Sequence, residues 1–333
     1  MQRSKENASQ YYQAPQKKHW QGRASRSELG NQYWHQAIEC IDLLDWQGNK
    51  GGETTIALLG YACDEGVRRN AGRVGAQKGP EAFRKELAKL AYHHPTKKAI
   101  DFGDVICPEA DLEGCQTALS ERIEQLITQG TFPIVVGGGH DIAYGHYKGL
   151  RKALQNEPNA KIGILNFDAH FDLRPLTQEA HSGTPFYQIL KEHDPATVEY
   201  CVLGIQKAAN SPELFSIAKE LNGSYFFNHE CEAANFETLK EQLSHFVARN
   251  DYLYISIDMD GFSSAYAPGV SAPSPMGFTP AFLEKMLAYL FSTQKVLSCD
   301  LAELNPTYDN DQCTAKLAAR IVDGVVSVPC MVS

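Results

Sequence analysis

Near-continuous apolar runs recur along this chain: TTIALLG (54–60), TFPIVVGG (131–138), AKIGILNF (160–167), VEYCVLG (198–204), GSYFFN (223–228), DYLYISI (251–257) and QKVLSCDLAEL (294–304). Strands without polar alternation are buried on both faces, the habit of parallel sheets covered by helices. Between the runs lie segments with helical spacing at 80–91, 112–129, 142–155, 211–221, 235–249, 280–292 and 312–323. Proline suits two of these helix starts, because its missing N–H has no partner to lose in the first turn. Strand and helix alternate almost throughout, and that order predicts an α/β fold: a three-layer α/β/α sandwich around a mostly parallel central sheet. With no internal repeat and no low-complexity linker, a single domain is expected over 31–333. A polar extension at 1–30 precedes it, with a mobile beginning and with Trp20 as a candidate anchor onto the body.

The 333 residues are 43% hydrophobic, enough for a substantial core. A net charge of −9 argues against a nucleic-acid surface, whose affinity comes from clustered Lys and Arg. A small-molecule or protein partner is the better expectation. Cysteines at 40, 63, 107, 115, 201, 231, 299, 313 and 330 form no CxxC pair, and their total is odd, which fits a reducing cytosol. The first residues hold no apolar signal-like stretch, and no run reaches the roughly 18 residues of a membrane span. A soluble, cytoplasmic protein is expected.

The ends of three runs carry the donors of a metal site: His140 after IVVGGG, Asp168, His170 and Asp172 after IGILNF, and Asp258 and Asp260 after YLYISI. In an extended segment, side chains at i, i+2 and i+4 share a side, so 168, 170 and 172 converge, as do 258 and 260. Ala169, Phe171 and Met259 then face the packing side. The carboxyl ends of strands are where open α/β sheets build their sites. Three glycines let the backbone turn His140 toward the same crevice. Taken singly, each cluster reads equally well as a turn, a cap or a core residue; three in equivalent strand-end positions do not. Six ligands exceed the usual complement of one open catalytic ion. Two ions are therefore expected, with Asp168 and Asp258 bridging, His140 and Asp172 on the first and His170 and Asp260 on the second. Four Asp and two His without Cys form a hard donor set that favours Mn²⁺.

GGGH (137–140), DAHFD (168–172) and SIDMDG (256–261) resemble the three signature motifs of the ureohydrolase (arginase and agmatinase) superfamily, over a match from about residue 55 to the C-terminus. Other segments are similar to its formimidoylglutamase branch: GVRRNAGRVGAQKGPEAFR (66–84), DLRP (172–175), SGTPF (182–186), APGVSAP (267–273), and WQGR (20–23) followed by YWHQ (33–36). The resemblance implies a centre of two Mn²⁺ held by the six residues above, on an arginase-like α/β/α sandwich that commonly forms homo-oligomers. It further implies hydrolysis of N-formimidoyl-L-glutamate to L-glutamate and formamide in histidine degradation. A hydroxide between two cations is a strong nucleophile at neutral pH, and a formimino carbon is a natural target for it.

Asp172 is the first choice for delivering a proton to the leaving amine. Glu303, in DLAELNP, resembles the family's EVNP glutamate, which is implied to hydrogen-bond the cationic substrate nitrogens; its other reading is a surface or helix-capping acid. Where many relatives have histidine in HGTPF, this chain has Ser182, with His181 one residue earlier. Either His181 transfers a proton from a shifted position or no shuttle is needed. Arg174 stands where similar arginases place Asn, and its guanidinium suits a substrate carboxylate. Arg68, Arg69 and Arg73 in the Gly-rich loop are further candidates for substrate binding, and each also reads as a salt-bridge residue. The rival functions are an agmatinase or guanidino-acid hydrolase, a zinc amide hydrolase, and a binding relative without catalysis. Urea release would mark the first, a single-zinc ligand set the second and lost ligands the third.

Overall fold

The computed structural model describes residues 10–24, 26, 28, 30–49, 51 and 54–328. The mobile beginning expected for the chain lies at residues 1–9, outside the described residues.

The apolar runs form strands β3 (Thr54–Ala62), β5 (Thr131–Val136), β6 (Ile162–Phe167), β7 (Val198–Ile205), β8 (Ser224–Phe227), β9 (Tyr252–Asp258) and β10 (Val296–Ala302). Three further strands were not anticipated: β1 (Tyr12–Gln13), β2 (Glu39–Cys40) and β4 (Lys97–Ile106). One sheet holds them all in the order β1-β4-β3-β5-β10-β9-β6-β7-β8, with β2 also on β4. Among these described strands, only the β1–β4 pairing is antiparallel. From β4 to β8, then, every carboxyl end opens on the same edge.

Successive side chains of a strand face opposite layers, and β3 displays it. Ile56 and Leu58 belong to one apolar cluster, with Phe83, Leu87, Leu243, Phe282 and Val322 from helices 79–87, 236–249, 280–292 and 313–327. Ala57, Leu59 and Tyr61 belong to the other, with Leu119, Ile142, Ile189 and Leu214 from helices 112–128, 142–153, 185–192 and 212–220. Two helical layers thus enclose the sheet, giving the three-layer α/β/α sandwich.

The unanticipated β4 carries charge into this interior. The buried Arg84 guanidinium donates to Asp101 Oδ1 at 2.8 Å, to Asp104 Oδ1 at 2.6 Å and to the Gly103 carbonyl at 2.7 Å. Trp20, also buried, donates its indole N–H to Asp101 Oδ2 at 2.8 Å. Part of the segment expected as an extension is therefore packed on the body.

Candidate metal centre and substrate pocket

The site lies at the carboxyl ends of four adjacent strands. β5 leads to His140, β10 to Glu303, β9 to Asp258 and Asp260, and β6 to Asp168, His170 and Asp172. Gly137 and Gly138 adopt φ of 101° and 74°, left-handed values that suit glycine. At Gly138 a Cβ would also lie 2.6 Å from the Cys63 carbonyl. The glycines reverse the chain so that His140 enters the crevice just before helix 142–153.

The two acidic clusters converge by turning rather than by extended alternation. β6 ends at Phe167, and Asp168 Oδ1 then accepts from the His170 amide at 2.7 Å. β9 ends at Asp258, whose Oδ1 accepts from the Asp260 amide, also at 2.7 Å. Both aspartates make the short side-chain-to-backbone bond that closes an Asx turn. Asp172 has φ 48°, so its side chain does not follow from strand periodicity. The turn is fixed by Asn210, which accepts from the Phe171 amide and donates to the Ala169 carbonyl. Ala169, Phe171 and Met259 are buried on the packing side, as the spacing suggests.

Around His140 Nδ1 stand Asp172 Oδ2 at 2.9 Å, Asp258 Oδ2 at 3.0 Å and Asp168 Oδ2 at 3.1 Å. This buried nitrogen nevertheless lacks a hydrogen bond. The other ring nitrogen, Nε2, lies 3.0 Å from Ser256 Oγ, and that hydroxyl donates to Asp300 Oδ1 at 2.6 Å. Its proton committed to Asp300, the hydroxyl can only accept from Nε2–H. In a neutral ring Nδ1 then points a lone pair at three carboxylate oxygens, an arrangement that a cation resolves. Donor separations of about 3.0 Å also match the edges of an octahedron with ~2.1 Å bonds. Burial alone would lower the His140 pKa, yet Asp168, Asp172 and Asp258 raise it well above the usual histidine value. The site calls for positive charge.

A second group adjoins the first. His170 Nδ1 is 3.2 Å from Asp260 Oδ2 and 3.4 Å from Asp168 Oδ1. His140, Asp168, Asp172 and Asp258 can converge on one ion, and Asp168, His170 and Asp260 on another. Asp168 belongs to both groups through its two oxygens. Asp258 offers Oδ2 to the first group while its Oδ1 holds the Asp260 amide.

Glu303 follows β10 with φ 62°, and its amide donates to the Gly138 carbonyl at 2.8 Å. Oε1 accepts from the His140 amide at 3.1 Å, whereas Oε2 is buried without a partner. Burial and the nearby Asp258 push its pKa well above the usual carboxylate range. Glu303 is no surface acid: it lines a pocket of about 110 Å³ together with His140, His170, Asp172, Asp258 and Asp260.

Asn70, Arg174, Ser182, Asn210 and Ser271 line the same pocket. Arg174, exposed at the rim, donates to Asn70 Oδ1, and Asn70 in turn donates to Ser182 Oγ at 3.0 Å. The other candidate arginines have protein partners and do not themselves line the pocket. Arg68 is clasped by Glu65; Arg69 by Glu65, Glu113 and the Ala180 carbonyl; Arg73 donates to the Ser271 and Val270 carbonyls and stacks 4.1 Å over Tyr308. His181 is also outside the lining, its Nδ1 accepting from the Gly183 amide at 3.1 Å. Sequence reasoning notices Ser182 only as the residue at the HGTPF histidine position, and it does not single out Asn70, Asn210 and Ser271 as pocket residues. Asn70, Ser182 and Ser271 sit inside GVRRN, SGTPF and APGVSAP, and position within such a string is the signal available for them; Asn210 has none.

The arginase family model matches residues 54–327. Formimidoylglutamase of Geobacillus thermodenitrificans is 43% identical over 310 residues, covering 92% of this chain and 94% of the relative. That of Chromobacterium violaceum is 41% identical, covering 91% and 95%. Among solved structures, Trypanosoma cruzi formiminoglutamase with Mn²⁺ superposes with a TM-score of 0.73 at 26% identity, over 86% of this chain and 97% of that one.

Proposed function

The chain belongs to the arginase family, and on that footing we propose that it acts as a formimidoylglutamase, hydrolysing N-formimidoyl-L-glutamate to L-glutamate and formamide in histidine degradation. The observation that carries this reading is a pairing in one pocket: an unpartnered Glu303 oxygen beside the His/Asp groups, and the Arg174 guanidinium at the rim. A formimino group supplies N–H donors for the first, and a glutamate tail supplies carboxylates for the second.

The donor set fits two Mn²⁺. His140, Asp172 and Asp258 would hold one, His170 and Asp260 the other, with Asp168 between them; Asp258 would bridge as well once its Oδ1 is shared. When bound, the ions supply a water acidic enough to act as a nucleophile near neutral pH. The chain's own residues do the rest. Glu303 Oε2 accepts an N–H from the formimino group, holding its carbon in place and offsetting its charge. Asp172 takes the proton that the attacking water gives up and passes it to the glutamate nitrogen as the C–N bond breaks. Arg174, steadied by Asn70, clamps a carboxylate and sets the distance between tail and reacting carbon. His181 has no step in this scheme.

We read 31–333 as one catalytic domain and 1–30 as a polar extension docked in part. No described helix is long and apolar enough to cross a membrane. The described free cysteines support a cytoplasmic location, and a homo-oligomeric assembly follows the family habit.

The test is product release from Mn²⁺-loaded protein given formimidoylglutamate, arginine and agmatine separately. Formamide from the first substrate alone is the expected result. Urea from either of the others, without formamide, would replace this reading by the guanidino-hydrolase one.

A further inference from the structure

Three cysteines that the proposed chemistry leaves unused come together at the same edge of the sheet. Cys63 is the first residue after β3, Cys107 the first after β4, and Cys115 lies in the first turns of helix 112–128. Each offers a sulfur within 4.8 Å of the other two. Cys63 and Cys115 are buried, Cys107 is partly exposed, and all three are free thiols. Among the described residues, the only other metal-ligating groups of this kind are the two in the pocket.

We propose that Cys63, Cys107 and Cys115 form a separate binding site for one thiophilic divalent cation of the zinc and cadmium class. A disulfide would use two of these sulfurs and strand the third, whereas a tetrahedral ion takes all three and a water. Sulfurs about 2.3 Å from a zinc ion stand roughly 3.8 Å apart, a separation inside the 4.8 Å within which these three sulfurs lie. The donors are all soft, unlike the hard oxygen-rich set in the pocket, so the two sites sort metals by chemistry.

On binding, each thiol releases its proton to solvent as its sulfur takes the ion. Three thiolates and a dication leave a net charge of −1. A monovalent ion would leave −2 beside Asp141 and Glu65, both of which already act on Cys107 electrostatically. The first proton is the easiest to lose: hydrogen bonds from Cys115 and Cys63 pull the Cys107 thiol down to about 5. Cys107 is also the exposed member, which gives the ion its entry and the water its place.

Occupancy would be felt at the catalytic edge. The Cys63 carbonyl accepts from the Gly139 amide at 3.0 Å, one residue before His140. An ion on the three sulfurs would tie the ends of β3 and β4 and helix 112–128 to that turn. The proposal holds whichever substrate the pocket takes.

The experiment adds Cd²⁺ to the Mn²⁺-loaded full chain and follows ultraviolet thiolate-to-cadmium charge transfer together with the melting temperature. The six pocket ligands include no sulfur, so Cd²⁺ exchanging there gives no such band. One equivalent of Cd²⁺ should produce the band and raise the melting temperature. Both responses should be lost in Cys107→Ser, which should keep its metal-free melting temperature and formamide release because its side chain is partly exposed. Cys313→Ser, remote in sequence, should retain both responses, and Cys115→Ala provides a second test should Cys107→Ser misfold. Absence of the band at one equivalent, or a band of undiminished size in the Cys107 and Cys115 variants, would overturn the proposal.

Discussion

Ser256 Oγ donates to Asp300 Oδ1 at 2.6 Å and thereby fixes which face of His140 can receive a metal. The carboxylate sits deeper than the ligand and never reaches the pocket, yet it sets the imidazole tautomer. Tyr254 and His146 add further hydrogen bonds to Asp300 Oδ2, all of them buried. Partners of this kind typically alter metal affinity roughly 10- to 100-fold when removed. Ser256→Ala is expected to lose manganese on dialysis and to lose activity in parallel, with excess Mn²⁺ restoring most of it. Retention of full metal content would leave Ser256 without this role.

Glu303→Gln separates substrate binding from metal binding. The amide keeps an oxygen for the His140 backbone N–H but cannot take up the negative charge that a cationic formimino group would draw from the carboxylate. Loss of a charge-assisted hydrogen bond of about 1.5–3 kcal/mol corresponds to a fall of roughly 10- to 100-fold in kcat/KM. Manganese content, measured on the same preparation, should not change.

Arg174→Ala should raise KM for formimidoylglutamate roughly tenfold or more while changing kcat much less, the pattern of lost ground-state binding. Lysine should restore little of this, because an ammonium cannot reproduce a two-pronged carboxylate contact. An unaltered KM would remove Arg174 from substrate recognition.

Arg84→Ala tests the sheet rather than the site. It strands Asp101, which is fully buried, and Asp104 without their shared cation. Breaking a buried pair in this way costs about 3–5 kcal/mol. Urea unfolding should show a much lower midpoint, and a change under about 1 kcal/mol would contradict this account of β4.

Asp323 links helix 313–327 to the N-terminal part of the chain by accepting from His94 Nε2 and the Trp34 indole, each at 2.8 Å. Burial acts to raise its pKa, but these hydrogen bonds prevail and hold it below the usual carboxylate value. A depressed folded-state pKa gives stability that is fully present above the unfolded value, about 3.9, and is lost as pH falls through the folded value. Asp323→Asn should therefore be less stable than wild type at pH near 7, and the gap should close only as pH falls through the depressed folded-state pKa. A stability gap that stays constant into acid would argue against this origin.

The parts of the fold visible in the sequence were those where burial leaves an uninterrupted apolar signature, as in IGILNF before Asp168 and YLYISI before Asp258. β4 was missed because KKAIDFGDVI is broken by Asp101, Gly103 and Asp104. Those aspartates are tolerated because Arg84, seventeen residues back along the chain from Asp101, reaches both in space, with the Trp20 indole adding a hydrogen bond to Asp101. The clustering of the six His and Asp residues was legible because their strands are parallel and end on one edge. The turns that aim them were not. A φ of 48° at Asp172 or 62° at Glu303 is imposed by surrounding hydrogen bonds, with no local residue signal such as glycine would give. The loop arginines are the converse case: Glu65, Glu113 and Tyr308 engage them in this structure, and a sequence does not reveal which of two readings, salt bridge or substrate contact, a given arginine takes.

The four strand ends that supply the centre are neighbours in the sheet and distant along the chain, with His140 and Glu303 separated by 163 positions. Contacts across such separations form only after long loops have closed, the slow part of folding for parallel sheets. A chain still lacking β9 has no Asp258 or Asp260 to offer, and one lacking β10 has no strand between β5 and β9 to bring His140 beside them. Manganese uptake by a nascent chain should thus report that the last strands have been inserted, making the cofactor a proofreader of topology as well as a reagent.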